Sequence, residues 1–241
     1  MNIAIIPARG GSKRIPRKNI REFLGRPMLA YPIDAAQRTG VFDEIVVSTD
    51  DEEIAQIAEQ LGASVPFRRS ADLADDHTPT VPVVADAIQR CQALGWRIDD
   101  VCCIYPCVPF IVSTDILAAH KILESSGVSF SFPVAEFPSA VQRSLRRRAD
   151  GSLRPMYPEH VETKTQDLEA AYYDAGQFYW GRAESWLERR SLHMEAVGLC
   201  LPSTRVVDID TPEDWARAEA LHQAMFSTPR DRTDGVDRRE A

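Results

Sequence analysis

Between Arg9 and Lys18 the chain carries five cationic side chains, Arg9, Lys13, Arg14, Arg17 and Lys18, around the pair Gly10-Gly11 and the hydroxyl of Ser12. Glycine lets backbone N–H groups approach an anion closely, and clustered cations neutralise it, so this composition suits a polyphosphate. Residue order excludes two familiar phosphate loops. Ser12 precedes Lys13 and no second glycine stands before that lysine, so the stretch is not G-x-x-x-x-G-K-[ST], nor does it read G-x-G-x-x-G. A second cluster lies far along the chain, at Val206-Val207-Asp208-Ile209-Asp210-Thr211-Pro212. At spacing two on an extended segment, Asp208 and Asp210 face the same side. Paired hard carboxylate oxygens beside phosphate suit Mg²⁺. Two plainer accounts stay open on these residues alone: a solvated basic loop with a glycine turn, and a helix capped by Asp210, which leaves Asp208 idle.

These groups need elements to hold them. Ile3 to Ile6 form an apolar run that reads as a strand buried on both faces, ended by Pro7, which has no N–H to donate. The basic loop then leaves the sheet at a strand's carboxyl end, where open α/β sheets bind ligands. Downstream, the pattern predicts a helix over 28–38, a strand over 44–48, a helix over 51–61 capped by Asp50 with Glu53 completing a capping box, and a strand over 63–68. It continues with a helix over 78–94, a buried strand over 101–105 and a helix over 113–125 capped by Thr114. This rhythm requires parallel pairing with right-handed crossovers. From Val128 the rhythm breaks. Asp150-Gly151 between extended runs over 142–148 and 153–157 signals a hairpin, expected to project from the sheet. Strands at 177–180 and 195–200, a short helix over 183–189 and a last helix from Thr211 to about Met225 complete the chain, with 227–241 expected to be disordered.

With 241 residues, 44% apolar and 27% charged, the chain suits one large α/β domain. A net charge of −8 argues against general nucleic-acid binding, and anionic small substrates then require positive charge to be concentrated locally. No run approaches the roughly 20 apolar residues of a membrane span, and a chain that enters a strand at once is expected to carry no signal peptide. The five cysteines include no C-x-x-C pair, and adjacent Cys102 and Cys103 point to opposite faces of a strand, so reduced core thiols in a cytoplasm are expected. Asp75-Asp76-His77-Thr78 reads as an acidic cap before a helix rather than a metal site.

The string Ile6-Pro7-Ala8-Arg9-Gly10-Gly11-Ser12-Lys13, followed by Lys18-Asn19, resembles the opening motif of the CMP-sialic acid synthetase family of cytidylyltransferases. With Arg14-Ile15-Pro16-Arg17 between, it is most similar to the pseudaminic acid branch. Arg68-Arg69-Ser70-Ala71-Asp72-Leu73 resembles the family's R-P-A-E-L segment, with Ser70 where proline is usual. Tyr105-Pro106-Cys107-Val108-Pro109 stands where sialic acid enzymes carry Q-P-T-S-P. Gln166-Asp167-Leu168 and the run from Tyr172 to Trp180 look like the pseudaminic branch's sugar-binding segment, without the arginine and asparagine of F-R-P-N-G; Lys164 stands where arginine is common. The resemblance covers about residues 1–225.

It implies a nucleotide-diphosphosugar transferase fold, Rossmann-like and three-layered, with a mainly parallel sheet and a dimerisation arm at about 130–170. It also implies transfer of CMP from CTP to a nine-carbon sugar acid. Catalytic roles fall to Arg9, Lys18 and Asp210. Nucleotide binding falls to Ala8, Arg9, Gly10, Gly11, Ser12, Lys13, Asn19 and Arg69, and sugar binding to Tyr105, Gln166, Tyr173 and Asp174. Asp208 and Asp210 are the implied Mg²⁺ ligands, in a homodimer without nucleic-acid or membrane partners. Legionaminic or N-acetylneuraminic acid remains an alternative substrate, and a non-catalytic nucleotide-binding protein an alternative class.

Overall fold

The computed structural model describes residues 1–75 and 77–226. In chain order it contains β1 (Asn2–Pro7), a two-stranded ribbon of β2 (Glu22–Phe23) and β3 (Arg26–Pro27), α1 (Ala30–Thr39), β4 (Glu44–Ser48), α2 (Glu52–Gln60), α3 (Thr80–Ala93), β5 (Asp100–Ile104), α4 (Ser113–Ser126) and β6 (Phe130–Glu136). Then come β7 (Leu145–Arg147), β8 (Leu153–Pro155), β9 (Tyr172–Asp174), β10 (Phe178–Arg182), α5 (Ala183–Leu187), β11 (Ala196–Cys200) and α6 (Pro212–Phe226). The main sheet runs β11-β6-β10-β5-β1-β4, with β9 also paired to β6.

β1 lies between β5 and β4, parallel to both, and Ile3 to Ile6 are fully buried because both faces are covered. On one face Ala4, Ile6 and Cys102 pack with Ile33 of α1, Ala58 of α2 and Ile116 of α4. On the other, Ile3, Ile5 and Cys103 pack with Val84 and Ile88 of α3 and Trp186 of α5. The adjacent cysteines thus enter opposite cores, as strand alternation demands. This is the three-layer α/β arrangement expected.

Several local expectations are revised. β10 runs antiparallel to β5 and β6, so the sheet is mixed. The stretch 63–68 is no strand but a single bridge, Val46 to Ser64, since Pro66 brings no N–H to a ladder. Asp51, not Asp50, caps α2 by accepting from Ile54 N–H at 3.0 Å, which removes the capping box with Glu53. Val112 rather than Thr114 stands at the N-cap of α4, with no side-chain cap. Asp75 does not cap α3. Its carboxylate takes the N–H groups of His77 and Thr78 (2.9 and 2.6 Å) ahead of the helix. The hairpin at Asp150-Gly151 forms as β7 and β8, outside the main sheet. Asp76 and the expected disordered tail, 227–241, lie outside the described residues.

A third, smaller core joins parts distant in sequence. Ile15 from the basic loop, Phe23 and Met28 from the ribbon region, Ile209 from between the two aspartates, and Trp215 and Ala218 of α6 are buried together. His222 meets the rings of Phe23, Tyr31 and Phe110 at 5.6, 5.4 and 5.6 Å. Burial holds its pKa below the ordinary 6.5. A depressed folded pKa favours the neutral ring, so the stabilisation it gives is complete above about pH 6.5 and is lost as pH falls through the folded value. Thermal stability is expected to decline on acidification from pH 7 to 5, and His222→Phe to flatten that decline; parallel declines in both proteins would assign it to other groups.

Candidate active site

A cleft of about 730 Å³ opens where β1 and β5 end, bounded by Pro7 on one strand and by Tyr105 and Pro106 beyond the other. This is the carboxyl end of the parallel strands. The basic loop lines it with Arg9, Ser12, Lys13, Lys18 and Asn19. Asn19 is buried and donates to the Arg9 carbonyl at 2.9 Å, which closes the loop on itself. Arg9 Nη1 donates to the carbonyl of Asp75 at 2.8 Å. Ala8 is buried and its N–H goes to Ser48 O at 3.0 Å, so it anchors the loop's root rather than lining the cleft. Gly10 and Gly11 do not line it either, and the Gly10 N–H is engaged by Asp50 Oδ1 at 2.9 Å. Arg17, one of the five loop cations, is turned away onto Asp51 and Glu53.

Arg69 reaches the cleft from the segment after β4. Its guanidinium is buried, Nε donates to Ser48 Oγ at 3.1 Å, and a terminal nitrogen donates to the Ser48 carbonyl. Burial lowers its pKa to about 10, so the charge is held in surroundings that favour an anionic neighbour.

Asp208 and Asp210 stand across from the loop, on the cleft side of the segment whose Ile209 enters the third core. Asp210 pairs with Arg14 at 2.8 Å and Lys18 at 3.6 Å. The helix-cap account of Asp210 fails. Thr211 Oγ1 accepts from Asp214 N–H at 3.1 Å, and the Asp214 carboxylate accepts from the N–H groups of Thr211 and Asp210 at 3.0 and 3.2 Å. That reciprocal cap serves α6 and leaves both upstream carboxylates to the cleft. Among the described residues no group of three or more His, Cys, Asp or Glu forms a metal site by itself. Two carboxylates alone suit a hard cation that completes its shell from phosphate oxygens and water.

The wall beyond Tyr105 differs in character. Tyr105 OH meets Thr80 Oγ1 at 2.8 Å, and its ring lies 5.4 Å from that of Tyr179. β9 and β10 form one strand path interrupted at Ala175-Gly176-Gln177, where Gly176 takes φ +61°. Asp174 holds this turn: it accepts from Gly176 N–H at 2.8 Å and Tyr179 OH at 2.9 Å, and pairs with His193 at 2.9 Å. Burial pushes the Tyr179 hydroxyl far above its usual range, so it stays a donor. Tyr173 and Asp174 line the cleft, whereas Gln166 sits exposed on a short 3₁₀ turn and does not.

Sequence reasoning missed Thr80, Arg205 and His193, and named Gln177 only within a longer string. Gln177 donates from Nε2 to the Arg205 carbonyl at 2.8 Å, which fixes the orientation of its amide. The Arg205 guanidinium is itself tied to Asp115. The signals available were weak: Arg205 stands three residues before Asp208, and His193 is one of several scattered histidines.

Known proteins share both fold and sequence with this chain. CMP:2-keto-3-deoxy-manno-octonic acid synthetase, solved with CTP, superposes with a TM-score of 0.68 over 92% of this chain and 98% of its own, at 15% identity. 4-Diphosphocytidyl-2C-methyl-D-erythritol synthase of Anaerococcus prevotii superposes with a TM-score of 0.62 at 16% identity over the same shares, 92% and 98%. In sequence, a pseudaminic acid cytidylyltransferase of Campylobacter jejuni (strain 81-176) is 40% identical over 92% of this chain and 96% of its own. The CMP-N,N'-diacetyllegionaminic acid synthase of Legionella pneumophila is 37% identical over 91% and 95%. The profile of the cytidylyltransferase family matches residues 3–228, a span that contains both the basic loop and the aspartate pair, and the chain belongs to that family.

Proposed function

We propose that this protein transfers CMP from CTP to pseudaminic acid and releases pyrophosphate. The observation that carries the reading is the meeting of Lys18 and Asp210, 3.6 Å apart, in one cleft whose far wall is Tyr105 and Tyr173. Phosphate chemistry and a sugar-sized polar wall thus share a space, and the Campylobacter jejuni relative is a pseudaminic acid cytidylyltransferase by name.

In the proposed reaction the anomeric hydroxyl oxygen of the sugar acid bonds to the α-phosphorus of CTP. The bond to the β-phosphate bridging oxygen breaks, pyrophosphate leaves with that electron pair, and the hydroxyl proton is lost. Arg9, Lys13 and Lys18 hold the triphosphate and stabilise the charge that gathers on the leaving group. Arg69 holds its charge at the nucleotide side, and Asn19 keeps the loop closed. Tyr105 and Tyr173 orient the sugar acid. Asp208 and Asp210 would hold Mg²⁺, which when bound neutralises the triphosphate's charge. Without a cation these carboxylates would repel it. The free thiols, Cys91, Cys102, Cys103, Cys107 and Cys200, support a cytoplasmic setting. No helix among the described residues is long and apolar enough to cross a membrane.

The test is pyrophosphate release with CTP and a panel of pseudaminic, N,N'-diacetyllegionaminic and N-acetylneuraminic acids. Pseudaminic acid is expected to give the highest kcat/KM. The legionaminic reading is the second, supported by the 37% identical relative; absence of release with every acid of the panel would leave a nucleotide-binding protein without this activity.

The working unit is proposed to be a homodimer. Leu145 and Leu153 of the β7–β8 arm, and Met156 and Val161 after it, are each exposed, and the arm's two strands pair only with each other. A ribbon of this kind needs covering, and a two-fold mate supplies it. Light scattering at micromolar concentration is expected to give twice 27.0 kDa; a monomer would remove the proposal.

A further inference from the structure

The basic loop is fastened at both ends to consecutive aspartates, and neither lines the cleft. At its start, the Gly10 N–H donates to Asp50 Oδ1 at 2.9 Å. A Cβ on Gly10 would lie 2.6 Å from Asp51 Oδ2 and 2.9 Å from Asp51 Cβ, so the Asp51 side chain occupies the room that glycine leaves. At its end, Arg17 adopts φ +57°, a conformation costly for a residue with a side chain. Its guanidinium forks onto Asp51, Nη1 to Oδ2 at 2.5 Å and Nη2 to Oδ1 at 2.9 Å, and Nη2 also reaches Glu53 Oε2 at 2.5 Å. Asp51 Oδ1 takes the Ile54 N–H at 3.0 Å as well. The Asp51 carboxylate thus ties the end of the loop to the first turn of α2 and packs beside its start, where the hydrogen bond comes from Asp50.

We propose that Asp51 is the positioning residue of the phosphate loop, and that Arg17, although it stands among the loop cations, binds no phosphate. By gripping Arg17 and filling the space beside Gly10, Asp51 sets where Arg9, Lys13 and Lys18 present their charges. The Arg17 hydrogen bonds hold the Asp51 pKa down to about 2, so the clamp is charged near neutral pH. Bidentate arginine–carboxylate pairing is directional, which suits a part whose task is geometry. The inference rests on CTP being the nucleotide bound.

Asp51→Asn keeps the size and an N-cap acceptor but removes the charge. Steady-state pyrophosphate release is measured for it, for Arg17→Gln and for the double variant, with CTP and the sugar acid varied separately. Both single variants are expected to raise the KM for CTP by about tenfold and to leave the KM for the sugar acid within about twofold, since misplaced cations weaken triphosphate binding alone. The double variant should be no worse than Arg17→Gln, because both changes open the same clamp. A rival in which Arg17 is a phosphate ligand predicts the opposite sign for Asp51→Asn: the released arginine would lower the KM for CTP. That result, or an unchanged KM, would overturn the proposal. Should Asp51→Asn fold poorly, Glu53→Gln replaces it: the Glu53 side chain is 66% exposed, and loosening Arg17 there is expected to raise the KM for CTP under the clamp and to lower it if Arg17 were a phosphate ligand. Wild-type protein run alongside separates the two failures. Absence of CTP-dependent release in it overturns the substrate reading, whereas normal release with an unaltered Asp51→Asn overturns the clamp.

Discussion

Asp210→Asn is expected to lower CTP-dependent turnover by about two to three decades, or roughly 3–4 kcal/mol of barrier, while folding stability moves by less than about 1 kcal/mol. The two numbers separate because the carboxylate has two different neighbours. In the free protein it pairs with Arg14, whose side chain is 68% exposed, and such a pair is worth little. During turnover it would face a cation bound to the triphosphate, where loss of one negative ligand weakens charge neutralisation at the site of reaction. Asn keeps the size and one acceptor oxygen, so only charge is removed. Asp208→Asn is expected to behave alike, and excess Mg²⁺ to rescue partly whichever variant mainly loses cation affinity. The cap of α6 is untouched by either change, since Thr211 and Asp214 supply it. Near-normal turnover by both variants at limiting Mg²⁺ would show that the pair holds no metal.

The second large effect concerns the sugar acid. N-acetylneuraminate is expected to be turned over about a hundredfold less efficiently than pseudaminate, because a site shaped for one set of polar groups leaves them unpaired with another. The wall expected to select is tied down: the Tyr105 hydroxyl meets Thr80 Oγ1, and its backbone N–H donates to the Gln177 carbonyl at 2.9 Å. Neither the glutamine nor the arginine and asparagine that sialic acid enzymes place here is present. Tyr105→Gln alone should therefore reduce pseudaminate turnover without creating turnover of N-acetylneuraminate. Equal kcat/KM for the two acids with the wild-type protein would refute this account of selectivity.

What could be read from the chain was what is local. Ile3 to Pro7 and the loop behind them announce a buried strand and an anion site through adjacent residues. Asp208 and Asp210 announce themselves through a spacing of two. Arg17 could not be assigned in this way. In composition it is one more cation, and only the fold brings Asp51, 34 residues on, beside it. The direction of β10 was equally hidden, because the arm between β6 and β9 decides from which side the chain re-enters the sheet. Gln166 and Asp174 belong to one quoted segment, yet the fold sends the first to an exposed turn and the second to the cleft wall. Burial of the Arg69 guanidinium had no local signature at all.

The third core gives the site a property that none of its polar contacts has. Ile15 and Ile209 insert into the same small cluster, so the placement of the loop's cations and the placement of the carboxylates are not independent variables. A ligand that draws these two segments together favours the state in which α6 is docked. Docking of α6 must then favour that ligand by the same factor, since coupling free energy is reciprocal. Trp215 and Ala218 line no part of the cleft, yet substitutions at either are expected to shift the affinity of the site for its ligand. Selection can therefore adjust affinity on the outer helix while leaving every substrate-facing group unchanged.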